Sequence, residues 1–435
     1  MATKRWLGHA LNTRQVDTIT IANTWAQNDT VTITIDNIAF VVTIGTLVTT
    51  AQVATTIKQA FNGETLTDTS ASCVPTIAQG GAQTMGQFAE IVASVNSSVV
   101  SLTSRSDGVP FTLSVSESTA GTGTATLAAE ATASTGKWHA SDADNWNTNG
   151  VPADNDTVVF DQGAIGPKYE LDLACQPAEL QIPKSFTGAI GLPPVNEDSA
   201  SKKYAEYRGT ALTTDDNSVT APWYIGDGVG QGSGFMRLNA GAGRTNLFVY
   251  GSGARTFTGI PSICWKGTHA SNEVNNYEGD LGIATFPGEA ATVATLRTGN
   301  DKNLAKTVCG SGVTLTTITQ NGGSLETNSA ATTITQNSGS ATHKAGAITT
   351  LTVGGTWDQI SSGTITNLTV RSGGVFDKSK DARALTITNC TLHKGAKLLD
   401  PGGTITFSNG IALAAGVKLS DVTIDVGVSR TISVT

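Results

Sequence analysis

Apolar and polar residues alternate with period two over much of this chain, and in its last third the alternation itself repeats. Residues 316–321 read TTITQN, and the same six residues return at 332–337. The echo continues as TTLTVG from Thr349 and TNLTVR from Thr366, then loosens to ALTITN from Ala384. The central apolar residues Ile318, Ile334, Leu351, Leu368, Ile387 and Ile405 follow one another at gaps of 16, 17, 17, 19 and 18 residues. A period of this size predicts a β-solenoid, because one coil cannot cover its own apolar face and must stack on the next. Turn chemistry ends each alternating piece, as at Asn321-Gly322-Gly323, Asn337-Ser338-Gly339, Gly354-Gly355 and Ser372-Gly373-Gly374, and second short strands are expected at 324–326, 356–358 and 374–376. Thr and Ser take the outward positions, which suits a solvated β surface. A low-complexity linker would have no reason to hold the period.

The first third carries a different pattern. Val31, Ile33 and Ile35 alternate with polar residues, Asp36-Asn37 offers a turn, and Phe40, Val42 and Ile44 alternate again, which predicts a hairpin. Val53, Ile57, Ala60 and Phe61 then fall at helical spacing, with Thr50 as N-cap and Asn62-Gly63 as the stop. Strands are expected at 91–95, 99–103 and 111–115, and the Ala/Thr/Gly-rich segment 116–136 reads as one weak strand leading into a linker. Residues 1–15 form a polar arm carrying Trp6, with two readings open: a docking arm or a frayed terminus.

From Lys137 the solenoid is expected to begin, with Trp138 and Trp146 capping a first coil that has no neighbour below it. The polar run between Leu192 and Trp223 (including NEDSASKKYAEYRG) reads as a loop inserted into a coil. Irregular rungs are expected at 236–238, 247–249, 263–265 and 293–296. The fold class is therefore mainly β, a small N-terminal α+β module followed by a β-solenoid with an irregular inserted region. The expected divisions are 1–15, a docking arm; 16–135, the β-rich module with one helix; 136–290, the solenoid start and irregular coils; and 291–435, the regular repeats.

Composition narrows the function classes. With 48 glycines and only 14% charged residues, the chain fits a Thr/Ser/Gly-rich β architecture rather than a helical one. A net charge of −8 without a dense Lys/Arg cluster argues against nucleic acid as a partner. No window has the 18 or more apolar residues of a membrane span, and Lys4-Arg5 leads into no apolar h-region, so a product made in the cytoplasm is expected, with no membrane partner. The five cysteines are scattered and never form CxxC, so they read as small core residues rather than a disulfide framework or zinc site. The Asn-x-Thr sequons, such as Asn28-Asp29-Thr30, reflect composition in the absence of a secretory signal.

A search for chemistry returns little. The five histidines, His9, His139, His269, His343 and His393, show no metal-ligand spacing. The run 226–234 (GDGVGQGSG) imitates a phosphate loop but lacks the following Lys-Ser/Thr, so it reads as a tight turn between coils. Paired carboxylates on a β-helix can cleave polysaccharide, and the candidates are Asp142 with Asp144, Asp154 with Asp156, and Asp215 with Asp216. All lie in expected turns, where Asp is favoured by backbone hydrogen bonding alone. Calcium at the 142–156 turns is the other reading of the first two pairs. No catalytic, cofactor or metal residue is assigned, and no enzymatic activity or cofactor is expected.

The opening ATKRWLG (2–8), the segment VDTIT (16–20) and GVPFTLSV (108–115) resemble the start of a group of tailed-bacteriophage virion proteins. Trp138, Asn145-Trp146, Gly150-Val151-Pro152 and the strand 156–160 also resemble the start of β-helical repeats in phage proteins and in autotransporter passenger domains. The resemblance implies a non-enzymatic structural protein of the virion, either decorating the capsid through its N-terminal region or serving as a tail fibre. Capsid decoration is favoured, since the first third is a compact module and no coiled-coil or collagen-like shaft is present. The expected partners are two further copies, forming a homotrimer with a covered lateral face, and the major capsid protein or another virion protein. The alternative is a fibre or spike that binds host surface polysaccharide, with Trp223, Tyr224, Trp265 and Trp357 as aromatic platforms. A cell-surface adhesin is disfavoured by the missing export signal.

Overall fold

A computed structural model of the chain describes residues 2–36, 38–74, 90–128, 131–193, 211–215 and 220–427. The polar run 194–210 and Asp216, parts of the expected inserted loop, lie outside them. Strands make up 44% of the chain and helix 5%, and most strands belong to one long parallel sheet of 23 members, compatible with a solenoid.

Register explains how that sheet is built. Val158, Leu180, Trp223, Leu247, Val274, Leu296, Ile318, Ile334, Leu351, Leu368, Cys390 and Ile411 are successive partners in one ladder, every one of them buried. Each pairing returns the chain to the same column after a full circuit, the behaviour of stacked coils. Within a regular coil three ladders follow one another, as in 313–315, 317–320 and 324–327. The first corner is a skipped alternation: Leu315 and Ile318 both point inward with Thr316 between the paired stretches. The second corner needs glycine, because Gly323 has φ +68° and a Cβ there would lie 2.2 Å from the Ala305 carbonyl oxygen of the coil below.

One hydrophobic cluster runs unbroken from Trp6 to Ile411. The irregular stretch 192–289 therefore stays in the same parallel sheet wherever it is described. Its glycine run is indeed a turn pressed between coils: Gly226 has φ +72°, and a Cβ would come within 2.0 Å of the Gly251 carbonyl oxygen.

Polar side chains inside the coils serve the turns. At the end of the third ladder Thr327, His343, Gln359, Lys378 and Asp400 form a buried column. Asp400 accepts from Thr404 N (3.0 Å), Thr404 Oγ1 (2.9 Å) and Ile405 N (2.8 Å), and Lys378 pairs with Asp381 in the next turn. These bonds satisfy backbone groups that the strand cannot reach. In the second ladder Gln336 Nε2 donates to Gln320 Oε1 at 3.2 Å, and outside, Asn337 donates to Asn321 at 2.8 Å and Asn389 to Asn367 at 2.8 Å. Amide ladders of this kind follow from in-register stacking of like residues.

The arm expected at 1–15 requires a correction. Thr3–Arg5 is itself a strand of the parallel sheet, paired with Thr157–Val159, and Trp6 is fully buried against Trp146 and Phe160 with ring centroids 5.2 and 6.0 Å away. A frayed or outward-docking terminus would leave that apolar face of the first coil uncovered. The cap is thus Trp6 with Trp146, whereas Trp138 is only half-buried, its ring beside Lys137 and Lys168.

Between the strands Thr3–Arg5 and Thr157–Val159 the chain leaves the parallel sheet and forms two antiparallel four-stranded sheets. Thr30–Ile35 pairs with Ile38–Thr43 and Leu113–Ser118, and Val16–Ala22 pairs with Val99–Ser104 and Thr124–Leu127. The helix Thr50–Asn62 packs on them through Val53, Ile57, Ala60 and Phe61. Its N-cap is Thr49, one residue before the expected Thr50, because Thr49 and Gln52 form a reciprocal capping box. A second core cluster, sharing no residue with the first, holds this part together. Isolated bridges Thr13↔Thr135 and Val16↔Thr132 close its neck.

Candidate functional site

Three of the carboxylates singled out by sequence, Asp142, Asp154 and Asp156, serve the backbone. Asp142 caps the short helix Ala143–Asn145 by accepting from Asp144 N at 3.1 Å. Asp154 accepts from Gln176 N at 2.9 Å, and buried Asp156 accepts from Ala2 N at 2.7 Å, tying the terminal strand to the first coil. Asp215 is exposed, and its presumed partner Asp216 lies outside the described residues. Among the described residues no group of three or more His, Cys, Asp or Glu is placed to hold a metal ion.

The cysteines are buried and unpaired. Burial pushes the thiols of Cys264, Cys309 and Cys390 up to about 12, and Cys175 rises equally through burial and then the nearby Asp154, Asp156, Asp215 and Asp172. Protonated thiols at neutral pH are poor nucleophiles.

A Ser-His-Glu alignment that sequence spacing did not reveal sits where the antiparallel part meets the first coil. His139 is fully buried, with Nε2 3.3 Å from Ser134 Oγ and Nδ1 3.1 Å from Glu170 Oε2. Nε2 is closer still, 3.1 Å, to the carbonyl oxygen of Gly108. A carbonyl can only accept, so Gly108 competes with Ser134 for the same ring nitrogen, and Ser134 does not have that nitrogen to itself. The arrangement is a clasp joining the turn at Gly108, the segment after the neck and the first coil.

The remaining site is on the outer surface of the middle coils. Three of the four aromatic platforms expected from sequence face inward instead: Trp223, Trp265 and Trp357 are 1%, 1% and 0% exposed. Alternation explains this, since Ala221, Trp223 and Ile225 share the buried face of one strand and leave Pro222 and Tyr224 outside. Tyr224 stacks on Phe248 of the next coil (centroids 5.3 Å, planes 18° apart), and beside them Tyr250 stacks on Tyr277 (5.3 Å, 23°). No family model, curated protein or solved structure matches this chain. The aromatic ledge must therefore be read from its own geometry.

Tyr224 and Tyr250 border a concavity of about 300 Å³ whose other walls are Glu179, Gln181, Ile182, Pro183 and Asp227. Gln181 Nε2 donates to Glu179 Oε1 at 2.8 Å, which fixes both side chains along the rim. The Tyr250 hydroxyl is held above its ordinary pKa, first by burial and then by Tyr277, Tyr224 and Asp227, so these groups converge. The sequence signal for the ledge was the alternation in 221–225 and 245–249 together with Tyr250 and Tyr277, each just past a strand.

Proposed function

We propose that this chain is a non-enzymatic structural protein of a tailed-phage particle, decorating the capsid through residues 16–135, with the parallel sheet as a projecting, trimeric β-solenoid. The observation that supports this reading most is the insertion itself. A separately cored antiparallel part is spliced between the first two strands of a long, continuously packed stack of coils. One part can then attach while the other stays rigid.

The outer face of the second ladder supports self-association. Thr319, Thr335, Thr352, Thr369 and Thr391 lie in one uncharged row, with Thr317, Thr333 and Thr350 in the row beside it. A row without charges presents no like-charge repulsion to the same face of a second copy. The resemblance of residues 2–8, 16–20 and 108–115 to virion proteins supports the phage assignment, with the capsid protein as partner.

The test keeps the strand Thr3–Arg5, because simple truncation at Gly136 would uncap the first coil. Replacing residues 17–131 by a short Gly/Ser linker across the Val16↔Thr132 bridge should leave a folded, trimeric solenoid that fails to join particles. Undiminished incorporation of that variant would overturn the assignment of the antiparallel part as the attachment region.

A further inference from the structure

The outward aromatics of the middle coils stack between coils but lie outside the buried core. Trp223, the core aromatic of the Tyr224 strand, points inward and is fully buried, while Tyr224, Phe248, Tyr250 and Tyr277 lie half-buried on the other side. Elsewhere the outward rows of the parallel sheet are mostly Thr, Asn, Asp, Ser and charged residues, so four stacked rings in two adjacent columns are a local departure. Exposed apolar surface rimmed by polar groups marks a binding site.

The chemistry of the concavity narrows the ligand. Its volume, about 300 Å³, lies at the small end of ligand pockets. Ring faces offer flat apolar surface to the C–H face of a pyranose, and their hydroxyls add donors at the edge. Glu179 and Asp227 are acceptors without donors, and Gln181 supplies both, a set that matches the many hydroxyl donors of a sugar. Two carboxylates at the rim of a chain with net charge −8 disfavour a polyanion.

We propose that the ledge of Tyr224 and Tyr250, with Glu179, Gln181 and Asp227 at its rim, is a binding site for a neutral oligosaccharide. Stacked pairs continue the ledge to Phe248 and Tyr277 on the following coils, so an extended chain can run along the solenoid axis rather than end in the pocket. The site asks nothing of the capsid and is independent of where the protein is attached.

The test is a glycan array followed by isothermal titration calorimetry on the full chain, using maltohexaose, cellohexaose and N-acetylchitohexaose, with hexagalacturonate as the charged probe. A neutral glycan should bind once per chain, and Tyr224→Ala should weaken it by about tenfold or more. The double variant Glu179→Gln, Asp227→Asn removes the rim charges without removing a ring and should weaken the same ligand. Circular dichroism melts establish that each variant is folded, and Thr364→Ala, at an exposed position outside the proposed self-association row, serves as the distant control. Absence of neutral-glycan binding on the array, tighter binding of hexagalacturonate, or undiminished binding by both the folded Tyr224→Ala chain and the double variant would overturn the proposal.

Discussion

Trp6 and Trp146 pack edge to face, their ring centroids 5.2 Å apart, although 140 residues of chain separate them. The contact closes one end of the long parallel sheet with residues that precede and follow the inserted antiparallel part. Trp6 Nε1 donates to the Ile165 carbonyl oxygen at 2.8 Å, and Trp146 Nε1 donates to that of Ala140 at 2.8 Å, so neither indole is buried unsatisfied.

Trp6→Ala should therefore cost about 3–5 kcal/mol, the range for emptying a large aromatic site in a packed core. Urea denaturation followed by circular dichroism measures it. Leu11→Ala, at a side chain 87% exposed in the same arm, should fall within about 0.5 kcal/mol of the parent. Equal effects of the two substitutions would show that Trp6 does not seal the first coil.

The buried His343 gives stability a dependence on acid pH. Burial holds its pKa below the ordinary 6.5, only partly offset by the bond to the Gly346 carbonyl. Nδ1 lies 2.7 Å from Thr327 Oγ1 and Nε2 2.9 Å from Gly346 O, an arrangement satisfied by the neutral ring. Below 6.5 the unfolded chain binds a proton that the folded chain resists, so stability falls as pH drops through that value and levels off below the folded pKa. Urea midpoints measured from pH 8 to pH 4.5 should decline, and His343→Gln should flatten the part of the decline that begins near 6.5. An identical pH profile in the variant would remove His343 as the cause.

At the other end of the polar column, Asp400→Ala leaves the amides of Thr404 and Ile405 without their acceptor. The expected loss is about 1–3 kcal/mol, the cost of stranding buried polar groups. Hydrogen exchange at Thr404 and Ile405 should accelerate well before exchange in the 317–320 strand. Unchanged protection there would mean that the turn does not depend on Asp400.

Leu368 pairs with Cys390 in the ladder, and Ile387 pairs with Ile365. Sequence reading placed Ile387 opposite Leu368 because ALTITN imitates the earlier TTITQN. The imitation is real, since both segments are inward-alternating strand, but they belong to neighbouring ladders. Coils are 16 and 17 residues long from Ile318 to Leu368 and then lengthen to 22, because the buried Lys378–Asp381 turn adds residues before the next circuit. Period two is visible along a strand; which ladder a strand joins depends on turn lengths, and these are set by buried polar contacts with no sequence repeat.

The same logic applies to the arm and the ledge. Three residues, Thr3–Arg5, are too short to declare a strand on their own, and only Val158 and its neighbours complete them. The inward facing of Trp223 is legible from Ala221 and Ile225 on either side, since residue type alone does not say which face of a strand a ring occupies. Leu368→Ala should cost about 2–5 kcal/mol while Thr364→Ala, exposed on the same strand and outside the self-association row, stays near the parent; thermal melts that fail to separate the two would contradict the register.

Electron cryo-microscopy of the particles made by the genome that encodes this chain is the decisive measurement for the proposed attached, trimeric solenoid. The prediction is density for a stack of parallel coils repeated over the icosahedral shell, in threes, with the antiparallel part against the capsid. Particles without that density, or with it only at the tail tip, would contradict capsid decoration.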